Sequence, residues 1–363
     1  MKNFKRLLSA ALMLVMLLSF AGCHKKNEVA VTVGDVEFTS AYYMCALVNA
    51  DSEAKTLVNE SLEEDESSTD VDYFSKKVEG KDYVEWVEEK AMTTLKQVAA
   101  YKILCEENKL EPNEEDIANA EMYADYYWSN YGYSAYFEPN GVSKDTYTKY
   151  MTDSYFAETY FEFVYGKDGE KAIAADTIKT KMNENFIVAD ILNATYESDA
   201  TDDDKTALKT KLDGYVTALN AGTKTFEQVY KEYNNVTDEE DTTTETTDTE
   251  SEELKPQDKY ASILGAEDTV YESEHYETVK AMATGEVKLI ELEDKTGYVL
   301  AIKKDINADP YYLDTLDMTV RHLIADEEFE KTIEDYIKTL KVDVNSYAVK
   351  QFKVKKIKEP EYS

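Results

Sequence analysis

Apolar and polar positions along this chain follow different periods in different stretches, and the changes of period divide it. Val29-Ala30-Val31-Thr32-Val33 is a β-rich run, Gly34-Asp35 is a turn signal, and Val36-Glu37-Phe38 continues extended. Thr39 and Ser40 are good N-capping residues for a helix from Ala41 to about Val58. Residues 60–70 are acidic and Ser-rich and predict a loop. A long helix follows, with Val84, Val87, Ala91, Leu95, Val98 and Cys105 at steps compatible with one face, ending near Asn108 ahead of Pro112. A second long helix starts at residues 113–116, where acidic side chains suit the positive end of the helix dipole. It carries Met122, Tyr123, Tyr126, Tyr127 and Trp128. After a Pro139-Asn140-Gly141 turn, a third helix carries Tyr147, Tyr150, Met151, Tyr155, Phe156, Tyr160, Phe161 and Phe163, and a fourth spans roughly 172–185.

The pattern then changes. Phe186 to Leu192 reads as a strand, and a helix from Asp203 to Asn220 places Leu208, Leu212, Tyr215, Val216 and Leu219 on one side before Ala221-Gly222 ends it. Phe226 to Tyr233 is a short helix. Residues 235–253 are almost entirely Asp, Glu and Thr, with nothing apolar after Val236 to anchor them, and predict a disordered insert over 235–254. Strands at Glu286–Leu292 and Tyr298–Lys303 flank a turn at 293–297. The chain then returns to helix: Leu313, Leu316, Val320 and Ile324 form one stripe, continued by Phe329, Ile333, Tyr336, Ile337 and Leu340. The tail from Val349 to Ile357 alternates apolar and basic residues, as an edge strand or extended segment would.

Composition narrows the class. The 363 residues carry 40 basic and 75 acidic side chains, a formal net charge of −35. Such a balance argues against nucleic-acid binding, which needs basic patches, and against spreading on an anionic membrane. It suits a soluble protein or one that meets basic or unfolded clients. No cofactor or metal is expected. The three histidines show no zinc-type spacing, residues 199–204 lack the Gly and terminal Glu of a calcium loop, and no phosphate loop or nucleophile motif stands out. Cys45 and Cys105 sit in helical patterns, either as two separate buried thiols or as a pair.

The first residues address the chain. Lys2, Lys5 and Arg6 precede an apolar run from Leu7 to Leu18, too short for a comfortable span, and then Ser19-Phe20-Ala21-Gly22-Cys23. This resembles a bacterial lipoprotein signal of residues 1–22 with its lipobox, although Phe20 stands where the family usually has Leu. The resemblance implies lipidation of Cys23 and an extracytoplasmic, membrane-anchored product. Loss of the three cationic residues takes its net charge to −38. Four residues separate Cys23 from Glu28, so the folded body would stand within about 15 Å of the anchor.

The order of elements resembles the extracytoplasmic foldase lipoproteins of the PrsA type and the periplasmic chaperone SurA. The opening Val29–Thr39, the helix end Ala100–Asp116, the helix pair around Leu219–Tyr233, and the run Ala281–Val287 with Gly297–Ile302 each match a family feature in sequence order. The resemblance implies an α+β, mainly α protein. Residues 23–185 and 306–363 would form a helical chaperone domain, and residues 186–305 an inserted parvulin-like peptidyl-prolyl isomerase module containing the 235–254 insert. Parvulins use two histidines; here Asp190 and Val299 occupy those positions, and the Gly-Gly-Asp-Leu-Gly segment between them is absent. Arg321-His322-Leu323-Ile324 spells the first family motif, but on a helix that follows the closing hairpin, which predicts an exposed His322. His275 is likewise expected to be exposed.

The expected function is that of a membrane-anchored chaperone or foldase acting on unfolded or exported polypeptides, with weak or absent isomerase activity. Tyr126, Tyr127, Trp128, Tyr155, Phe156 and Tyr160 either line a cradle for clients or build the helical core. The alternative is a non-catalytic assembly lipoprotein holding one specific cell-envelope partner.

Overall fold

The structure, a computed structural model, describes residues 28–62, 71–236, 256, 258–292 and 295–359. The signal segment, Cys23 and nearly all of the acidic insert lie outside the described residues. The chain divides into two compact units: Met1–Ala172 with Glu327–Ser363, and Ile173–Asp326 between them in sequence. Both are built mainly from helices with small antiparallel sheets, so the protein is α+β and mainly α.

In the first unit, β1 (Val29–Val33) pairs with β2 (Val36–Thr39) across the Gly34 turn and, on its other side, with β9 (Val342–Val344). Residues near the two ends of the chain thus share one three-stranded sheet. Gly34 has a φ of +62°, a conformation that favours glycine, and a Cβ there would also press on the end of the Ile103 side chain. The Gly34 amide donates to the Lys341 carbonyl at 2.8 Å, closing the sheet's end.

Helix α1 (Ser40–Glu60) starts at Thr39, whose hydroxyl accepts from the Tyr42 amide. After the short hairpin of β3 (Lys77–Val78) and β4 (Lys81–Asp82), α2 (Tyr83–Asn108) packs on α1 and ends at Lys109 in the left-handed conformation. Leu47, Leu95, Val87, Ala54 and Val58 are fully buried in their common core. Helix α3 (Glu114–Asn130) is capped by the Asn113 side chain and packs on α5 (Lys144–Asp153), with the short α4 (Tyr133–Phe137) between them in sequence. Instead of one long third helix, the chain breaks at Ser154 and continues as α6 (Tyr155–Tyr165). The Ser154 hydroxyl donates to the Met151 carbonyl, an alternative to the helical ladder. Residues 327–337 belong to this unit. Phe329 stacks on Tyr101 of α2 at 5.9 Å and meets Phe161 edge-on at 5.1 Å. Cys45 and Cys105 are buried free thiols. Burial raises both above the usual thiol range, Cys105 to about 11.

In the second unit, α7 (Ala175–Asn185) leads into β5 (Phe186–Thr195). Then come α8 (Asp202–Asn220), α9 (Phe226–Asn234), β6 (Ala261–Gly265), α10 (Tyr276–Lys280) and the hairpin β7 (Val287–Glu291) and β8 (Gly297–Lys304). The sheet runs β6-β5-β8-β7, antiparallel throughout. Helices α8 and α9 each open with a capping box, Thr201 with Asp204 and Thr225 with Gln228. The acidic run at 199–204 is therefore a helix start. Leu212, Tyr215, Phe226 and Val229 cover one side of the sheet against Leu192, Ala194, Tyr298 and Leu300. Tyr276, Val279 and Met282 cover the other, against Ile187, Ala189, Val299 and Ala301.

Helix α11 (Pro310–Ile337) begins in the second unit, where Tyr312, Leu316 and Val320 are buried with Ile178, Met182 and Phe186. Leu313 and Ile324, expected on the apolar stripe, are exposed; the buried line starts one residue earlier, at Tyr312. The tail also differs from expectation. The edge strand is Val342–Val344, and beyond it the chain forms α12 (Ser346–Val349) and a short turn of 3₁₀ helix. Asn345 directs this change, its side chain accepting from the Tyr347 and Ala348 amides. The two units meet in sequence at 172/173 and 326/327, and apolar residues of α7 and early α11 share a core with Phe186 and Val188 of β5.

Candidate functional site

Asp190 sits in the middle of β5, opposite Ile302 of β8 and Ala261 of β6. It is a charged residue in a strand where Phe186, Ile187, Val188, Ala189 and Leu192 are buried, and it is only 1% exposed. Lys304, two residues beyond Ile302 and so on the same face, brings its Nζ to 2.7 Å from Asp190 Oδ2. The same ammonium donates to Asp258 Oδ2 at 2.8 Å, forming an acid–lysine–acid bridge. The Asp190 carboxylate is thus buried with the Lys304 ammonium as its ion-pair partner.

Burial raises the Asp190 pKa to about 6, in spite of the opposing effect of Lys304. For Lys304, burial alone would lower the pKa, but the two carboxylates outweigh it and hold the ammonium above its ordinary value. Asp258 is also opposed by burial, yet Lys304 and the Tyr260 amide keep it below the usual carboxylate range. A cleft of about 460 Å³ opens beside this bridge, lined by Asp190, Thr225, Phe226, Asp258, Tyr260 and Lys304 among others. Tyr260 packs against Tyr230 at 4.9 Å and Phe226 at 6.0 Å to form its aromatic wall.

Val299 does not share this cleft. It pairs with Asn193 on β5, three positions from Asp190, and its side chain lies in the opposite core with Ala189 and Ala301. Asp190 and Val299 lie on opposite faces of the sheet. On the Asp190 face, β8 presents Tyr298, Leu300, Ile302 and Lys304. The sequence could not show this, because the register of β8 against β5 is set by a contact more than a hundred residues away.

The two histidines also differ from expectation. His322 Nδ1 lies 2.6 Å from Asp326 Oδ1 one helical turn on, and the ring is partly buried. His275 is largely buried, with Nε2 3.3 Å from Glu274 Oε1. Neither lines the Asp190 cleft. Arg321, which precedes His322, is buried and donates to Asp317 at 2.7 Å. Among the described residues, no group of three or more His, Cys, Asp and Glu side chains could hold a metal ion, and no helix is long and apolar enough to cross a membrane.

The six aromatic candidates separate by environment. Trp128 is buried, 5.7 Å from Tyr147 and stacked on Phe137, so it belongs to the core and not to a binding surface. Tyr155, Phe156 and Tyr160 are half-buried; Phe156 lies under Lys102, and Tyr160 packs on Phe163 and Phe329. Tyr126 is exposed and Tyr127 half-buried. They join Tyr123, Tyr131 and Tyr133 in a chain of ring contacts of 5.4 to 6.3 Å. Met122, Tyr123 and Tyr131, which lay beside the six in sequence, are 55%, 46% and 60% exposed, against 48% for Tyr126. For Met122, two residues from buried Ala120 and Ala124, helical spacing was the signal that could have identified it.

No family model matches the chain, and no curated protein matches it. Among solved structures, it is similar to the foldase protein PrsA from Lactococcus lactis at 10% identity and a TM-score of 0.38, with 90% of this chain and 99% of that chain covered. It is also similar to PrsA from Bacillus subtilis at 14% identity and a TM-score of 0.33, with 76% of this chain and 96% of that chain covered.

Proposed function

We propose that this protein is an extracytoplasmic, lipid-anchored chaperone that holds unfolded or exported polypeptides, with an isomerase-like module that has little or no isomerase activity. The observation that carries the reading is the tyrosine-rich surface of α3. Exposed apolar or aromatic clusters of this kind mark interaction sites in soluble proteins, and Tyr offers contact area at low entropic cost. The lipoprotein-like signal at Cys23 and the order of sequence features support the address and the class.

The inert-module part rests on the Asp190 cleft. Turning a prolyl bond past a barrier of about 18–20 kcal/mol calls for polar groups arranged around the twisting amide. Here the central polar group is a buried carboxylate already committed to Lys304, facing apolar β8 side chains. The reading is tested by light scattering from a chemically unfolded secreted protein diluted into the full chain. Scattering should fall in proportion to added protein; unchanged scattering at several-fold excess would reject a chaperone role.

A further inference from the structure

We propose that the exposed tyrosine face of α3 is a docking site for extended polypeptide segments rich in lysine or arginine. This deepens the chaperone reading and rests on it for the class of client, but it is argued from the chemistry of the face itself. Between Lys109 and Lys144 the chain carries seven acidic residues (Glu111, Glu114, Glu115, Asp116, Glu121, Asp125 and Glu138) and no lysine or arginine. The same stretch holds the ring cluster of Tyr123, Tyr126, Tyr127, Tyr131 and Tyr133. Glu115, Asn119, Met122 and Tyr126 follow one another at three- and four-residue steps, so a carboxylate, a thioether and an aromatic ring lie along one side of the helix. The nearest cation in sequence after the helix, Lys144, is engaged with Asp125.

Ring faces and carboxylates both attract cations: a Lys or Arg over a Tyr face gains about 0.5–1 kcal/mol at an exposed site. Its aliphatic stem covers the ring while the head stays solvated near an acid. A face of this composition fits alternating basic and apolar side chains. It disfavours a second copy of this chain, which carries the same net charge of −35, and it disfavours an anionic membrane.

The test uses the full chain and a fluorescent extended peptide alternating lysine with leucine and serine, beside its counterpart with glutamate for each lysine. The lysine peptide should bind, more weakly as salt rises, and the glutamate peptide should not. A variant combining Tyr123→Ala, Tyr126→Ala and Tyr131→Ala should keep its unfolding temperature and lose about ten-fold or more in affinity. Equal binding of both peptides, unchanged affinity in the variant, or concentration-dependent self-association abolished by these substitutions would overturn the docking inference. Client aggregation is measured in parallel. Suppression that survives in the variant while its lysine-peptide affinity is unchanged sinks the docking face alone; absence of suppression by the parent, with lysine-peptide binding intact, sinks the chaperone reading alone.

Discussion

Asp190 makes a pH-dependent contribution whose sign follows from its burial. Its native pKa of about 6 lies above the ordinary carboxylate value of 3.8, so between those pH values the folded chain holds more proton than the unfolded one. Stability contributed by this group is therefore greatest below about pH 4, falls as pH rises toward 6, and is level above. A shift of roughly two units corresponds to about 3 kcal/mol at most. Asp190→Asn, which mimics the neutral carboxyl and leaves Lys304 paired with Asp258, should raise stability at pH 7.5 by about 1–3 kcal/mol and remove this segment of the pH profile, read by denaturant titration at several pH values. A less stable variant with the parent's profile would refute the assignment. Removing the other partner acts oppositely. Lys304→Met leaves the buried carboxylate uncompensated and should cost about 2–4 kcal/mol at pH 7.5, less at pH 4.5. At this scale the sequence showed that a polar residue interrupts an apolar strand. It did not show Lys304 as the partner, since the two are 114 positions apart and meet only through strand pairing. Nor did it show that Val299 and Asp190 lie on opposite faces of the sheet.

Asn345 does for an element what Asp190 does for a residue. Its side chain caps α12 and also donates to Glu28 Oε1 at 3.0 Å and the Val29 carbonyl at 3.1 Å, tying the end of β9 to the start of β1. Asn345→Ala should cost about 1–3 kcal/mol of unfolding free energy in urea, with Asn345→Ser restoring the cap alone and part of the loss. A change within error would mean that the β1–β9 seam holds without it. The long helices, the helix pair with its capping boxes and the closing hairpin were legible because periodicity and capping residues are local signals. Strand β6 was not, because Ala261–Gly265 has too few apolar positions to display a period. The tail was misread for a related reason. Its alternation is real, but Val354 and Ile357 meet the core from a helical turn, and the pairing partner of β1 is the shorter Val342–Val344.

Across the whole molecule, the second unit is a continuous insertion in the sequence of the first, and the first is closed by a sheet drawn from both ends of the chain. Helix α7 and the start of α11 share a core with β5 in the second unit, packing that links residues far apart in the chain and has no local sequence signal. The exposed aromatic face was legible only in part. Sequence marks a tyrosine-rich helix, but which rings are left outside depends on what Trp128 and Ala124 bury against. The central claim joins two statements, that the protein holds unfolded clients and that it does not turn prolyl bonds. Both are read in one measurement: refolding of a secreted client whose slow phase is limited by prolyl isomerisation, a process of tens to hundreds of seconds uncatalysed. With increasing amounts of this protein, the yield of folded client should rise while the rate of the slow phase stays at its uncatalysed value. A slow phase accelerated in proportion to added protein, or a yield that does not change, would contradict the account.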